Sequence, residues 1–337
     1  MDKVSIVILN YNGRSYLQQF LPGVIQNSPG CEVIVADNCS TDDSVEYLRT
    51  HFPSVRLILI PVNLGYSQGY NEALAQVEAQ YYVLLNSDVE VSPGWVSPIL
   101  QMMETDESIA AAQPKILDFN QKEYFEYAGA GGGMMDILGY PFCRGRLFQT
   151  LETDQGQYND VTQIFWATGA CLFIRSDIYR KLGGLDPDFF AHMEEIDLCW
   201  RINGAGLKVM YNGASQVYHV GGGTLKRTNP RKTYLNFRNG LTLLFKNYST
   251  SNLLWKFPVR ILLDVVAALK FMLFDSLQDG LAVCRAHLHF WSAIRVNYKK
   301  RRQAKSHRKI KKIPTIYPYS IVFQYFLKGV RKYEELS

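Results

Sequence analysis

Four short apolar runs in the first 86 residues, each closed by polar residues and separated by helical patterns, constrain this chain more than any other feature. "VSIVIL" (Val4–Leu9) is short, β-branched and followed by Asn10, Asn12 and Gly13, so it reads as a buried strand and a turn. "EVIVAD" (Glu32–Asp37), "VRLILI" (55–60) and "YYVLLN" (81–86) repeat the pattern. Helical segments are expected between them over 15–27, in "STDDSVEYLRTHF" with Ser40 or Thr41 as cap, and in "SQGYNEALAQVEA". Strands alternating with helices in this order imply an α/β fold with a doubly wound, mostly parallel sheet. Such sheets bind ligands at the carboxyl ends of their strands. The residues that deserve scrutiny are therefore Asn10, Asp37, Asn63 and Asp88.

Beyond residue 105 the pattern loosens. "YAGAGGGMMDILGYPF" is Gly-rich and reads as a loop; it is not placed or spaced as a dinucleotide fingerprint, which would follow the first strand directly. "ATGACLFIRSDIYRKLGGLD" returns to strand and helix, ending at Gly183-Gly184. A helix is expected from about Met193, then closing strands in "KVMYN" and "SQVYHVGG". From Lys246 the chain becomes strongly apolar, but Lys256, Arg260, Asp264 and Lys270 interrupt every long run, so amphipathic helices are expected rather than a membrane span.

Charge is unevenly placed. Residues 280–333 carry 14 Lys/Arg and no Asp or Glu; with Glu334 and Glu335 also set aside, residues 1–279 hold 22 bases against 29 acids. An acidic body with a basic tail suits an anionic surface, membrane lipid or nucleic acid. The six cysteines form no C-x-x-C pair, which points away from a zinc site or a disulfide framework and towards reduced thiols. The opening "MDKVSIVILNYNG" does not read as a signal peptide, because its apolar run stops after Leu9 and no small-residue cleavage site follows.

Several residues could carry chemistry. "LLNSDVEV" delivers Asn86, Ser87 and Asp88 at a strand end, where Asp88 suits a hard divalent cation or, alternatively, the cap of a turn. Asp37 and Asn38 could bond a base edge and ribose, or form an Asx turn. Asn63 and Gly65 precede a helix whose N-terminus would favour phosphate. His219 ends a strand before Gly221–Gly223, open to a ligand or a structural role. "HMEEIDLCWR" crowds Glu194, Glu195 and Asp197 into four positions. On a helix Glu194, Asp197 and Arg201 share a stripe that reads as bracing, whereas Glu195 points about 100° away from Glu194. A carboxylate near apolar walls becomes more basic and a better proton acceptor; a solvated acidic face is the plainer alternative.

Taken in order over roughly residues 3–245, "VSIVILNYN", "VIVADNCSTDDS", "NLGYSQGYNEAL", "YYVLLNSDVEVSPGW", "ATGACLFIRSDIYRKLGGLDPDFFAHMEEIDLCWRINGAGLKVMYN" and "VYHVGG" resemble the family 2 glycosyltransferases of GT-A fold, in their rhamnosyltransferase-like branch. The resemblance implies an inverting transferase with a Rossmann-like nucleotide-sugar half (1–104) and an acceptor and catalytic half (105–245); residues 246–337, which it does not cover, read from their own pattern as an amphipathic, basic helical extension associated with membrane. It implies a nucleotide-diphosphate sugar donor, such as dTDP-rhamnose, and Mn²⁺ or Mg²⁺. Asp37 then meets the nucleobase, Asp88 stands in the metal-binding place of D-x-D, and His219 is a further metal or diphosphate contact. Glu195 stands where the family's base sits, with Asp197 as the alternative. The D-x-D reads Asn86-Ser87-Asp88 here, and the family's Glu-Asp reads Glu194-Glu195.

The expected acceptor is a saccharide or polyprenyl-linked saccharide, and the tail implies a peripheral position on an anionic membrane surface at the cytoplasmic face. Two other readings compete. A sugar nucleotidyltransferase would need a basic Gly-rich loop near the first strand, where "NYNGRSY" offers one Gly and one Arg. A nucleic-acid binder would rest on the basic tail alone, with no recognised module beside it; no nucleic-acid partner is expected.

Overall fold

The structure is a computed structural model that describes residues 2–221 and 229–336. Gly222 and Gly223, part of the Gly-rich segment after His219, lie outside the described residues. The chain opens β1 (Asp2–Asn10), α1 (Arg14–Asn27), β2 (Glu32–Asp37), α2 (Ser44–His51), β3 (Arg56–Leu59), α3 (Gly65–Leu74), β4 (Ala79–Asn86). Then come β5 (Val89–Val91), α4 (Val96–Thr105) and β6 (Ile109–Asp118). Short strands follow: β7 (Gly133–Asp136), β8 (Pro141–Cys143), β9 (Arg146–Leu147), β10 (Thr150–Leu151) and β11 (Val161–Ile164). The body is completed by β12 (Cys171–Arg175), α5 (Ser176–Lys181), α6 (Glu194–Gly204) and β13 (Lys208–His219). Helices α7 (Pro230–Asn247), α8 (Thr250–Lys270), α9 (Leu277–Ser292) and α10 (Ile294–Ser306), strand β14 (Ile316–Tyr317) and helix α11 (Ile321–Phe326) form the rest.

Among the described residues the main sheet runs β11-β13-β6-β12-β4-β1-β2-β3, with β5 paired to β13. Strands β4, β1, β2 and β3 are parallel, as the alternation predicts. Strand β12 enters antiparallel between β4 and β6, so the sheet is mixed. Period-two alternation feeds two cores: Val7, Ala36, Tyr82 and Leu84 face one, and Ile6, Ile8, Val35, Val83 and Leu85 the other. With both faces covered, the strands read as continuous apolar runs.

Three local expectations change, and a fourth, the end of a helix at Gly183-Gly184, holds. The Gly-rich stretch expected as a loop contains β7 and β8, an antiparallel pair in a second sheet of order β10-β9-β8-β7-β14. Its glycines are needed for close packing: a Cβ on Gly133 would lie 2.2 Å from the Trp166 ring. The two closing strands are one strand, β13, bent by an irregularity between Asn212 and Gln216. Ser40 and Thr41 do not cap α2; Ser40 Oγ accepts from Asn12 N at 2.9 Å, and Thr41 N donates to Asn12 Oδ1 at 2.7 Å, so they tie the first two strand ends together. Helix α5 stops at Lys181, and Gly183 and Gly184 follow with φ of 83° and 67°, which only glycine adopts readily.

The expected boundary at 245 falls in the last turn of α7, and the chain beyond it packs back on the body. Strand β14 pairs in parallel with β7. Part of the basic run also turns inward: Lys300 pairs with Asp188 at 2.6 Å, and Arg301 donates to the Tyr248 carbonyl at 2.7 Å.

Candidate active site

At the carboxyl end of the parallel strands the side chains bond one another. Asn10 Nδ2 donates to Asp37 Oδ2 at 2.9 Å, and Ser40 N donates to Asp37 Oδ1 at 2.9 Å. Asn38 Nδ2 donates to Asn63 Oδ1 at 3.2 Å and to the Gly65 carbonyl at 3.1 Å. Asn38 N donates to the Asn10 carbonyl at 2.7 Å, so Asn10, Asp37, Asn38, Asn63 and Gly65 form one network, as their strand-end positions predict. The N-terminus of α3, however, is not free for phosphate. Tyr66 N and Ser67 N donate to the Phe190 carbonyl at 2.7 and 3.2 Å, and Gly65 N donates to Asn63 Oδ1 at 2.9 Å. With those donors taken, Gly65 serves contact instead: at φ 72° its Cβ would lie 2.5 Å from the Phe190 ring.

The turn between β4 and β5 carries Asp88, and the β5–β13 pairing sets His219 opposite Val89. Asp88 Oδ1 lies 3.2 Å from His219 Nε2. Asn86 Nδ2 lies 3.5 Å from the same nitrogen, and Glu126 Oε1 lies 3.5 Å from His219 Nδ1. All but Asn86 are buried. Burial opposes a charge on the imidazole, but Glu126 and Asp88 outweigh it and push its pKa up to about 10. Glu126 was missed by sequence reasoning; its signal was a lone acid in the aromatic "YFEYAG".

The acidic helix begins where expected, through a strained approach. Phe190, His192 and Met193 all have positive φ, at 63°, 72° and 73°. Such conformations persist only where the surroundings hold them. Buried Asn239 of α7 does so, its Nδ2 donating to the carbonyls of Phe189, Ala191 and His192 at 3.0, 2.9 and 2.7 Å. Nothing in the sequence pairs Asn239 with this loop, because the contact spans about fifty residues.

The three acids of α6 divide, though not as the stripe predicts. Asp197 is fully buried; Arg201 Nε donates to its Oδ2 at 2.9 Å, Lys246 Nζ to the same oxygen at 2.8 Å, and Asn247 Nδ2 to Oδ1 at 2.7 Å. Burial alone would raise its pKa, but Lys246 and Arg201 lower it. Glu194 does not join them. Arg201 gives its remaining donors to the Leu182 and Gly184 carbonyls, both at 2.7 Å. Glu194 and Glu195 each keep a buried Oε2 without a hydrogen bond. Burial pushes the Glu195 carboxyl up to about 7; burial and the Glu195 charge push Glu194 well above its usual range.

Tyr66 connects the two regions. Both glutamates act electrostatically on its phenol, which donates to the Gly169 carbonyl at 2.7 Å. The next carbonyl, Ala170, accepts from Asn86 N at 3.0 Å. The unpaired acids thus stand a few contacts from the Asn86–Asp88 turn.

A mixed sheet with this strand order and a polar network at its strand ends is the architecture of the GT-A glycosyltransferases. Solved structures agree on the fold: GalNAc-T7 with UDP, GalNAc and Mn²⁺ has a TM-score of 0.60 at 14% identity, over 97% of this chain and 56% of that one. TarS of S. aureus in complex with UDP-GlcNAc has a TM-score of 0.54 at 13% identity, over 90% of this chain and 89% of that one. The sequence profile of glycosyl transferase family 2 matches residues 5–183, and the chain belongs to that family. Its relatives within that family include rhamnosyltransferases. It is 26% identical over 234 residues to the N-acetylglucosaminyl-diphospho-decaprenol L-rhamnosyltransferase of Mycobacterium tuberculosis, covering 65% of this chain and 76% of that protein. It is 23% identical over 225 residues to the rhamnosyltransferase WbbL of Escherichia coli, covering 64% and 83%.

Proposed function

We propose that this enzyme moves a deoxyhexose, with dTDP-rhamnose as donor, to a hydroxyl of a polyprenyl-linked saccharide, inverting the anomeric centre. Residues 1–104 hold the nucleotide sugar, residues 105–245 the acceptor, and residues 246–337 keep the enzyme peripherally at the cytoplasmic membrane face. The relatives named above support the sugar and the lipid-linked acceptor. No helix among the described residues is long and apolar enough to cross a membrane.

The observation that carries the reading is the contrast within α6: Asp197 has three partners, while Glu194 and Glu195 keep unbonded oxygens close to the donor side. Glu195 is the base. Half-burial holds its pKa near the working pH, and it takes the acceptor hydroxyl proton as that oxygen attacks the anomeric carbon from the face opposite the nucleotide. One displacement inverts the centre, and no covalent intermediate on the protein is needed. Asp197 is too enclosed to meet an acceptor. Asp37, with Asn10 and Asn38 fixing the surrounding network, accepts from the nucleobase; a carboxylate has lone pairs beyond those used by Asn10 and Ser40.

Asp88 and His219 would hold a divalent cation, Mn²⁺ or Mg²⁺, once the cation displaces the proton that Glu126 and Asp88 keep on the imidazole. Their 3.2 Å separation matches two adjacent ligands of an octahedral ion, which stand about 3 Å apart for bonds of about 2.1 Å. Among the described residues no three His, Cys, Asp or Glu side chains are placed to hold one ion together, so donor phosphate and water would complete the shell. Bound there, the cation would neutralise charge growing on the departing diphosphate. Glu126, 3.5 Å from the far nitrogen of His219 and without a hydrogen bond to it, acts on the ring through its charge.

The test is a panel of nucleotide sugars, scored by nucleotide diphosphate release with a polyprenyl-diphosphate-linked N-acetylglucosamine acceptor. Acceptor-dependent release is expected from dTDP-rhamnose. Release from another donor alone would overturn the sugar assignment, and release from none would overturn the reading.

A further inference from the structure

Helix α8 is built inside out. Its ionic residues Lys256, Arg260 and Asp264 are buried, at 5%, 6% and 0% exposure, although they interrupt an apolar sequence. Arg260 Nε donates to Asp264 Oδ1 at 2.8 Å, and His287 of α9 lies 3.3 Å from Asp264 Oδ2. These charges pin α8 to its neighbours. Leu262, Val266, Leu269 and Leu273, at helical spacing, point outwards instead. The stripe ends at the α8–α9 connection, a π-helical turn over Phe271–Asp275, where Leu273 and Phe274 are 72% and 79% exposed. Of the 24 exposed large apolar side chains among the described residues, 15 lie between Leu254 and Tyr298, far more than the single scattered residues of a soluble surface.

We infer that this outward face of the α8–α9 hairpin inserts into one leaflet of an anionic phospholipid bilayer, with Leu273 and Phe274 leading. Charge decides for lipid over a second protein copy. Arg285, Arg295 and Lys299 are exposed on or beside the hairpin, the last two four residues apart on α10, while Lys270 is offset by Asp275 at 3.5 Å. An apolar face flanked by exposed cations matches the acyl–headgroup boundary. The attraction comes from these outward cations and not from the whole basic run, because Lys300 and Arg301 are committed inward. The inference rests on the membrane-face reading above, and it gives that reading a surface.

The test uses the full chain with phosphatidylglycerol–phosphatidylcholine vesicles and no sugar donor. Trp255 and Trp291, each half exposed on α8 and α9, report the event directly. Their emission should shift to the blue on vesicle addition, and brominated acyl chains should quench it. The double variant Leu273→Ser, Phe274→Ser should lose at least about tenfold in vesicle affinity while keeping the melting temperature and monomer mass of the wild type. It should also keep nucleotide release with a water-soluble acceptor, so failure of the transferase reading is seen separately from failure of insertion. Unchanged vesicle binding in the double variant, or no binding by the wild type, overturns the inference. A wild-type dimer that the variant converts to monomer overturns it in favour of an interface between copies.

Discussion

Lys246 Nζ lies 2.8 Å from Asp197 Oδ2, joining the last turn of α7 to the first turn of α6. The same ammonium lies 2.8 Å from Asp186, which also meets Lys300 of α10. Burial disfavours the charge on Asp186, but Lys246 and Lys300 lower its pKa. This ion network fixes the axis of the helix that presents Glu194 and Glu195, and it ties the C-terminal helices to that task.

Removing one member of a buried network leaves a charge without compensation. Lys246→Met should cost about 3–5 kcal/mol of unfolding free energy, read as a lower denaturant midpoint. Asp197→Asn should lose stability in the same direction. An Asp197→Asn protein of wild-type stability that turns over nothing would instead make Asp197 the base.

Metal removal gives a second outcome. Asp88→Ala should lower turnover at least about a hundredfold, and excess chelator should abolish wild-type activity until Mn²⁺ or Mg²⁺ is returned. Isothermal titration of Mn²⁺ in the presence of nucleotide diphosphate reads the site without turnover, and Asp88→Ala should remove that heat.

The βαβ half was legible because each buried strand ends in a polar residue, and a strand's end fixes where its side chains go. Asn10, Asp37, Asn38 and Asn63 fell together for that reason. Helix periodicity also separated Asp197 with Arg201 from Glu195. It could not show that Glu194 leaves the stripe, because the partners that occupy Arg201 are carbonyls at Leu182 and Gly184. Asn239 and Lys246 act across long sequence separations on residues they resemble in no local pattern. The small sheet stayed hidden because its strands are two to four residues long, too short for alternation to register, and follow a Gly-rich stretch.

Donor recognition predicts a different kinetic signature. Asp37→Asn keeps the shape but removes the charge from the acceptor of nucleobase hydrogen bonds. The donor KM should rise about ten- to a hundredfold, the worth of one charge-assisted bond, while kcat changes little. A loss confined to kcat would remove Asp37 from the nucleotide site.

The acid pair also sets a pH dependence of stability. The folded-state pKa of Glu195 is raised to about 7 from an ordinary 4.5, so the fold holds a proton there that the unfolded chain gives up. The stabilisation is fully present below about 4.5 and is lost as pH rises through about 7. Glu194, raised further, adds in the same direction. Relative to wild type, Glu194→Gln should therefore gain stability as pH rises from 5 to 8, read in thermal or denaturant unfolding. A difference that does not move with pH would mean that the pair is solvated.

Glu195→Gln tests the chemistry itself. The amide keeps the shape of the side chain and cannot accept the acceptor's proton. Turnover should fall about 10²–10⁴-fold, the range for a positioned base, while nucleotide-sugar affinity is retained because the proposed donor contacts lie at the ends of β1, β2 and β4. The acidic limb of the wild-type rate profile should have its midpoint near pH 7, since protonated Glu195 is inactive as a base, and the variant should lose that limb. Glu195→Asp restores a carboxylate on a stem shorter by about 1.5 Å, one carbon–carbon bond. It should turn over between the two, with the limb retained. A Glu195→Gln enzyme at the wild-type rate with an unchanged limb would take the proton-accepting role away from this residue.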